Sequence, residues 1–110
     1  MKTIIEQAWN DRTMLQDAAV QSTIRSVIDQ LDAGQLRVAE KVDGNWVVHE
    51  WVKKAVILYF PIQPMETIEV GPFEFHDKIP LKKNLKAASV RVVPHGLIRH
   101  GAFVVKAVIV

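Results

Sequence analysis

The chain has 110 residues, 49% of them hydrophobic and 24% charged, which is typical of one modest folded domain. It has no cysteine, so disulfides, thiolate nucleophiles and cysteine metal sites are excluded. No apolar stretch has the length of a signal peptide core or of a membrane span. We therefore expect a cytoplasmic protein that does not bind membranes.

The net charge of +2 is unevenly distributed along the sequence. Residues 1–80 carry eight Lys and Arg against twelve Asp and Glu, whereas residues 81–110 carry six Lys and Arg and no acid. The basic end should attract anions, such as a small carboxylate, a phosphate group or an acidic protein surface. A solvated basic surface near a subunit contact explains the same charges equally well.

Two helices are predicted at the start of the chain. The first should run from Thr3 to about Met14, because Thr3 and Glu6 have the spacing of a capping box. The second contains Ile24, Val27, Ile28 and Leu31, which are spaced to form one buried stripe, and Gly34 can cap its end. We expect these helices to pack on each other or on the element that follows.

A β-hairpin is the strongest local prediction. Apolar and polar residues alternate within residues 36–48, and Asp43 and Gly44 favour a two-residue type I′ turn between the strands. A short helix should follow from Val52 to Tyr59, and Pro61 should end it.

Short extended segments are predicted beyond this helix, at Thr67–Val70 and Phe73–His76, followed by a polar, weakly helical connector at Lys82–Ala88. In the last segment, Ile98, Val104 and Val110 lie six residues apart, as in a parallel β-helix, although an ordinary strand pair gives the same pattern. Because this apolar segment runs to the last residue, we expect more protein to cover it, either further sequence, a partner subunit or both.

Few residues indicate chemistry by themselves. The four histidines lack metal-ligand spacing, no serine lies in a nucleophile elbow, and no glycine-rich phosphate loop is present. Trp46 and Trp51 favour packing over base stacking, so no nucleic-acid partner is predicted. Arg91 is the remaining candidate, because a guanidinium held in a β segment can bind a carboxylate with two hydrogen bonds. A surface salt bridge is the alternative role for Arg91.

Three sequence motifs follow one another along the chain: LRVAEKVDGNWVVHEWVKKAVILYF, FHDKIPLK and RVVPHGLIRHGAF. Together they resemble the amino-terminal part of bacterial tetrahydrodipicolinate N-succinyltransferases. The resemblance implies a cytoplasmic enzyme of lysine and diaminopimelate biosynthesis. Such an enzyme transfers a succinyl group from succinyl-CoA, its co-substrate, to the amine of ring-opened tetrahydrodipicolinate, with no metal or other cofactor.

The resemblance also implies an architecture of the α+β class. Residues 1–90 would form a small helical domain with a β-hairpin, residues 91–110 would begin a left-handed parallel β-helix, and the intact protein would be a homotrimer. Arg91 would bind the dicarboxylate substrate. The CoA-binding coils and a second substrate contact, an aspartate, have no counterpart in these residues, so no catalytic residue is assigned and the 110 residues alone should be inactive. An alternative function, which is not enzymatic, is that of an interaction domain that binds an acidic partner through the hairpin and the basic residues 81–110.

Overall fold

A computed structural model describes all 110 residues as an α+β fold with three α-helices and two small antiparallel sheets, which confirms the α+β part of the predicted fold class. The coil of a left-handed β-helix stays a prediction. The elements are α1 (Lys2–Asn10), a 3₁₀ helix (Arg12–Gln16), α2 (Ala18–Asp32), β1 (Ala39–Val42), β2 (Asn45–Val48), α3 (Glu50–Ile62), β3 (Glu66–Val70) and β4 (Phe73–Asp77). Residues 78–110, called the tail below, contain turns and isolated β-bridges. None of the helices is long and apolar enough to span a membrane.

The core lies between the three helices. The predicted stripe of α2 is buried, with Ile24 and Val27 at 0% exposure. Helix α1 packs on α2, and both pack on α3, which contributes Leu58 at 0% exposure. The helices therefore pack on one another, and the hairpins lie outside the main core.

The predicted start and end of the first helix are wrong. Its first backbone hydrogen bond runs from the Ile5 N–H to the Met1 carbonyl, so Thr3 lies inside α1 and does not cap it. The helix stops at Asn10 because Asp11 is extended and its carboxylate accepts the Thr13 N–H. This carboxylate caps the amino-terminal end of the separate 3₁₀ helix.

Gly34 caps α2 as predicted. Its φ is +76°, and the two bonds of a Schellman motif are present, from the Gly34 N–H to the Leu31 carbonyl (3.1 Å) and from the Gln35 N–H to the Gln30 carbonyl (2.8 Å). The ring of Phe103 lies directly against this glycine. The end of α2 is thus a contact point for the tail.

Gly34→Ala should therefore lower the free energy of unfolding by more than the roughly 1–2 kcal/mol of a left-handed alanine. An added Cβ would lie 2.8 Å from the Phe103 ring, so the ring would also have to move. Gly44→Ala is the matched control, because Gly44 has φ +81° with no atom within 4 Å of an added Cβ. Urea unfolding of both variants would measure the difference, and equal losses would show that the Phe103 contact contributes nothing.

The first hairpin forms as predicted. Strands β1 and β2 pair antiparallel with Val42 opposite Asn45, and Asp43 and Gly44 have the positive φ values of a type I′ turn (+50° and +81°). Both strands are largely exposed, and Trp46 is 69% exposed. Trp51 instead packs against the helical core, so only one of the two tryptophans has a packing role within this chain.

Helix α3 does not end at Pro61, contrary to the prediction. It continues to Ile62, with Pro61 in its last turn. Carbonyls at this end accept hydrogen bonds from distant side chains, the Phe60 carbonyl from Lys78 Nζ (3.0 Å) and the Ile62 carbonyl from Arg25 Nη2 (3.1 Å). Tertiary contacts thus stabilise a helix end that local preference disfavours.

The two extended segments predicted beyond α3 are confirmed as β3 and β4. They pair antiparallel as a second hairpin, which was not predicted, with Gly71 at φ +57° in the turn. The connector at Lys82–Ala88 is not helical. It forms a single turn over residues 85–89, because Asn84 and Ser89 both adopt positive φ (62° and 56°) and interrupt any longer helix.

Candidate functional site

Arg91 lies in an extended segment that pairs in parallel with the end of the tail. Its N–H donates to the Val108 carbonyl (3.1 Å), and its carbonyl accepts from the Val110 N–H (2.8 Å). The Val93 N–H then donates to the Val110 carbonyl (2.8 Å). The bridge partner of Arg91 is Ile109, eighteen residues later in the chain. The backbone N–H and carbonyl of Arg91 are thus both held by the end of the tail.

The side chain of Arg91 is exposed and makes no hydrogen bond or ion pair within the chain. Arg99, by contrast, forms a 2.6 Å ion pair with Asp77. The pKa of Asp77 lies below its ordinary value because of the Lys78 backbone N–H and the Arg99 side chain. An exposed guanidinium on a fixed backbone remains available to bind an anion.

A cavity of about 410 Å³ separates the second hairpin from the tail. Its walls are mostly apolar, with Ile68, Phe75, Leu97 and Ile98 among them, and the Asp77–Arg99 pair lies at its edge. Arg91 does not line this cavity. The predicted anion-binding residue therefore lies outside this cavity.

A polar cluster at the end of α2 was not anticipated from the sequence. Asp32 Oδ1 accepts hydrogen bonds from Lys82 Nζ (2.8 Å) and from the Gly101 N–H (2.9 Å). His100 lies between two carboxylates, with Nε2 2.8 Å from Asp29 Oδ1 and Nδ1 3.4 Å from Asp32 Oδ1. We call Asp29, Asp32, Lys82 and His100 the α2–tail cluster.

The carboxylate of Asp32 is held in its charged form. Burial alone would raise the pKa of Asp32, but the hydrogen bonds from Lys82 and the Gly101 N–H, with the charges of His100 and Lys82, lower it below its ordinary value. The side chain of Lys82 is only 7% exposed, so its ammonium group depends on this carboxylate for compensation.

The four histidines lie in different surroundings. His49 is 3.4 Å from Glu40, His76 contacts Thr67, and His95 packs edge-on against Phe73. No group of three or more His, Asp or Glu side chains is arranged to hold a metal ion.

In the folded chain, two ion pairs neutralise part of the positive charge of the tail. Lys82 pairs with Asp32 and Arg99 with Asp77, both acids from the first 80 residues. Lys83, Lys86, Arg91 and Lys106 make no such pair. The sequence asymmetry thus overstates the positive charge that the tail presents.

Residues 1–62 end with α3 and comprise the helical body together with the first hairpin. They match the family model described as tetrahydrodipicolinate N-succinyltransferase N-terminal, so this body is the amino-terminal domain of a class of acyltransferases. The match covers more than half of the chain, and the chain therefore belongs to the tetrahydrodipicolinate N-succinyltransferase family, as its sequence motifs predicted.

Similarity to whole proteins extends through the tail. The chain is 42% identical over 119 aligned positions to 2,3,4,5-tetrahydropyridine-2,6-dicarboxylate N-succinyltransferase of Bordetella pertussis, an alignment that covers 99% of this chain and 44% of that protein. The enzymes of the same name from Legionella pneumophila (strain Corby) and Pseudoalteromonas translucida are 43% and 41% identical. These alignments cover 96% and 99% of this chain and 42% and 43% of those proteins. The chain thus spans less than half the length of these relatives.

Proposed function

We propose that this chain is the amino-terminal part of an enzyme that transfers a succinyl group from succinyl-CoA to the amine of ring-opened tetrahydrodipicolinate, in lysine and diaminopimelate biosynthesis. Family membership supports this proposal, as do relatives above 40% identity that bear the name of that activity. The structural observation that carries it is Arg91, whose fixed backbone in the tail presents an unpaired guanidinium.

We assign the start of a left-handed β-helix to residues 91–110 and the amino-terminal domain to residues 1–90. The parallel bridge from Arg91 to Ile109 supports this division, because eighteen residues equal three six-residue repeats. Val92, Ile98 and Val104, six residues apart, are half-buried while their immediate neighbours in the chain are exposed. This is the pattern expected when each side of a coil directs one aliphatic side chain inward.

Arg91 would bind a carboxylate of the dicarboxylate substrate. The planar guanidinium can donate two parallel hydrogen bonds to one carboxylate, which fixes both the position and the direction of the substrate. No acid within this chain competes for Arg91. Orientation is the contribution that we assign to Arg91.

The reaction itself would be a direct acyl transfer. The neutral amine attacks the thioester carbonyl, the carbon–sulfur bond breaks, and CoA leaves as a thiol after the amine has lost a proton. Most of the rate enhancement would come from holding the two substrates together and from hydrogen-bond donors to the carbonyl oxygen. We place the CoA contacts and the catalytic groups in the part of the family architecture that lies outside these residues.

Assembly into a homotrimer is part of the proposal. The accessible surface of 7589 Å² exceeds the about 6,100 Å² expected for a compact monomer of this mass. The radius of gyration, 15.8 Å, likewise exceeds the about 13 Å expected for this length. Exposed apolar side chains such as Trp46, Phe103 and Ile109 are available to be covered by further protein.

Thiol release from succinyl-CoA tests the proposed activity. The protein at its full natural length should release CoA only when tetrahydrodipicolinate is present, whereas the 110-residue chain should release none above background. Reactions without the dicarboxylate control for hydrolysis of the thioester. Dicarboxylate-independent release by the full-length protein would refute the activity, and enzyme-like release by the 110-residue chain would refute the proposed location of the catalytic groups.

Two observations favour the interaction-domain alternative: Trp46 on the first hairpin is exposed, and Lys83, Lys86, Arg91 and Lys106 have no acidic partner within the chain. It predicts a folded monomer that binds an acidic partner in a salt-sensitive way and shows no succinyl-CoA chemistry. The same thiol-release assay therefore separates the two functions.

A further inference from the structure

Asp32 is the last residue of α2, where an acidic side chain is electrostatically unfavourable. The carbonyl end of a helix carries partial negative charge, so cations are preferred there. The helix has no basic residue of its own in this turn, and the compensating cation, Lys82, comes from fifty residues further along the chain. Lys82 Nζ also donates to the Asp32 carbonyl (3.0 Å), so it satisfies the helix end and the carboxylate together.

The contacts of Asp32 lie at both ends of one loop. The Lys82 N–H donates to the Ile98 carbonyl and the His100 N–H to the Pro80 carbonyl, both at 2.8 Å, and these bonds close the base of residues 83–97. Asp32 binds the entering arm through Lys82 and the leaving arm through the Gly101 N–H. Arg91 lies near the middle of the loop thus closed.

We propose that Asp32 is a positioning residue, which fixes the loop carrying Arg91 on the helical body and thereby sets where the guanidinium meets the substrate. One carboxylate joins α2 to both arms of the loop, and few other polar contacts connect these parts. The claim that Asp32 fixes the loop on the helical body depends only on these contacts. Its consequence for substrate binding rests on the proposed function of Arg91.

The charged groups around Asp32 determine how the stability of the α2–tail cluster changes at low pH. Asp32 faces Lys82, His100 and the Gly101 N–H, while His100 also faces Asp29 and lines a small cavity with Tyr59 and Arg99. Because the pKa of Asp32 is lowered in the folded state, its stabilising contribution is present above the unfolded pKa and is lost as the pH falls through the folded one. Release of the loop should therefore begin below about pH 4.

Hydrogen exchange on the full-length protein tests the positioning role. Asp32→Asn keeps the size of the side chain but removes its charge, and we expect about tenfold weaker protection of the amides of Arg91, Val93 and Val110. Amides inside α3 should stay within about twofold of the unchanged protein. Asp29→Asn is the matched control, because Asp29 contacts only His100 in the cluster and is 69% exposed, so its loop protection should stay within about twofold.

Steady-state kinetics complete the test. Asp32→Asn should raise KM for the dicarboxylate about fivefold or more and leave KM for succinyl-CoA within about twofold. Unchanged loop protection, or equal loss of protection in α3, would overturn the positioning role. Weaker loop protection with an unchanged dicarboxylate KM would support positioning and refute the role of Arg91. If the variant does not fold, acid titration of the unsubstituted protein decides, since loop protection that persists below the folded pKa of Asp32 would also overturn the proposal.

Discussion

Leu58→Ala is expected to lower the free energy of unfolding by about 2–5 kcal/mol. Leu58 lies on α3 with 0% exposure and belongs to a core of only twelve clustered buried residues. Truncation removes apolar area from that core and leaves a cavity that the surrounding helices can fill only in part. Because a small domain has about 5–15 kcal/mol of total stability, the loss would be a large fraction of it.

Ile57→Ala is the control for this prediction. Ile57 precedes Leu58 in the same helix but is 39% exposed, so its truncation should cost about 1 kcal/mol or less. Urea unfolding monitored by circular dichroism would compare the two variants in the 110-residue chain. Similar losses at both positions would indicate that α3 does not pack against α1 and α2 in the way described.

Elements governed by local signals were predictable from the sequence. The stripe of α2 requires only the helical period, and Asp43-Gly44 defines the hairpin register because few residue pairs adopt two consecutive positive φ values. The cap at Gly34 follows in the same way from its backbone freedom. Each of these features is decided within a few neighbouring residues.

The incorrect predictions share a cause in long-range or competing contacts. Pro61 remains helical because Arg25 and Lys78, distant in sequence, bind the carbonyls at the end of α3. Asp11 ends α1 early through its own hydrogen bond to the Thr13 N–H, which competes with the helix. Residue propensities alone predict neither contact.

The residues of the candidate site also differ in whether local sequence predicts them. Arg91 could be singled out from its residue type, its apolar neighbours and the family resemblance. Asp32 could not, because its partners Lys82 and Gly101 are 50 and 69 residues away in sequence. The one local signal, an unpaired acid in the last turn of a predicted helix, becomes informative only when the cation that compensates it is known.

Arg91→Lys should reduce kcat/KM for the dicarboxylate roughly tenfold to hundredfold in the full-length protein, from the loss of one charge-assisted hydrogen bond. Lysine keeps the positive charge but cannot present two parallel donors to one carboxylate. The fold should be unaffected, because Arg91 pairs with Val108 and Val110 through its backbone and its side chain makes no hydrogen bond or ion pair within the chain. KM for succinyl-CoA should therefore stay unchanged.

Arg37→Lys is the matched control, since Arg37 is also exposed and makes no side-chain hydrogen bond or ion pair. Its kinetic constants should equal those of the unsubstituted enzyme. Steady-state rates with each substrate varied in turn would separate the two affinities, because loss of an orienting contact acts on one substrate only. An equal loss for the dicarboxylate and for succinyl-CoA in Arg91→Lys would indicate a general disturbance of the tail and would contradict a role for Arg91 in carboxylate binding.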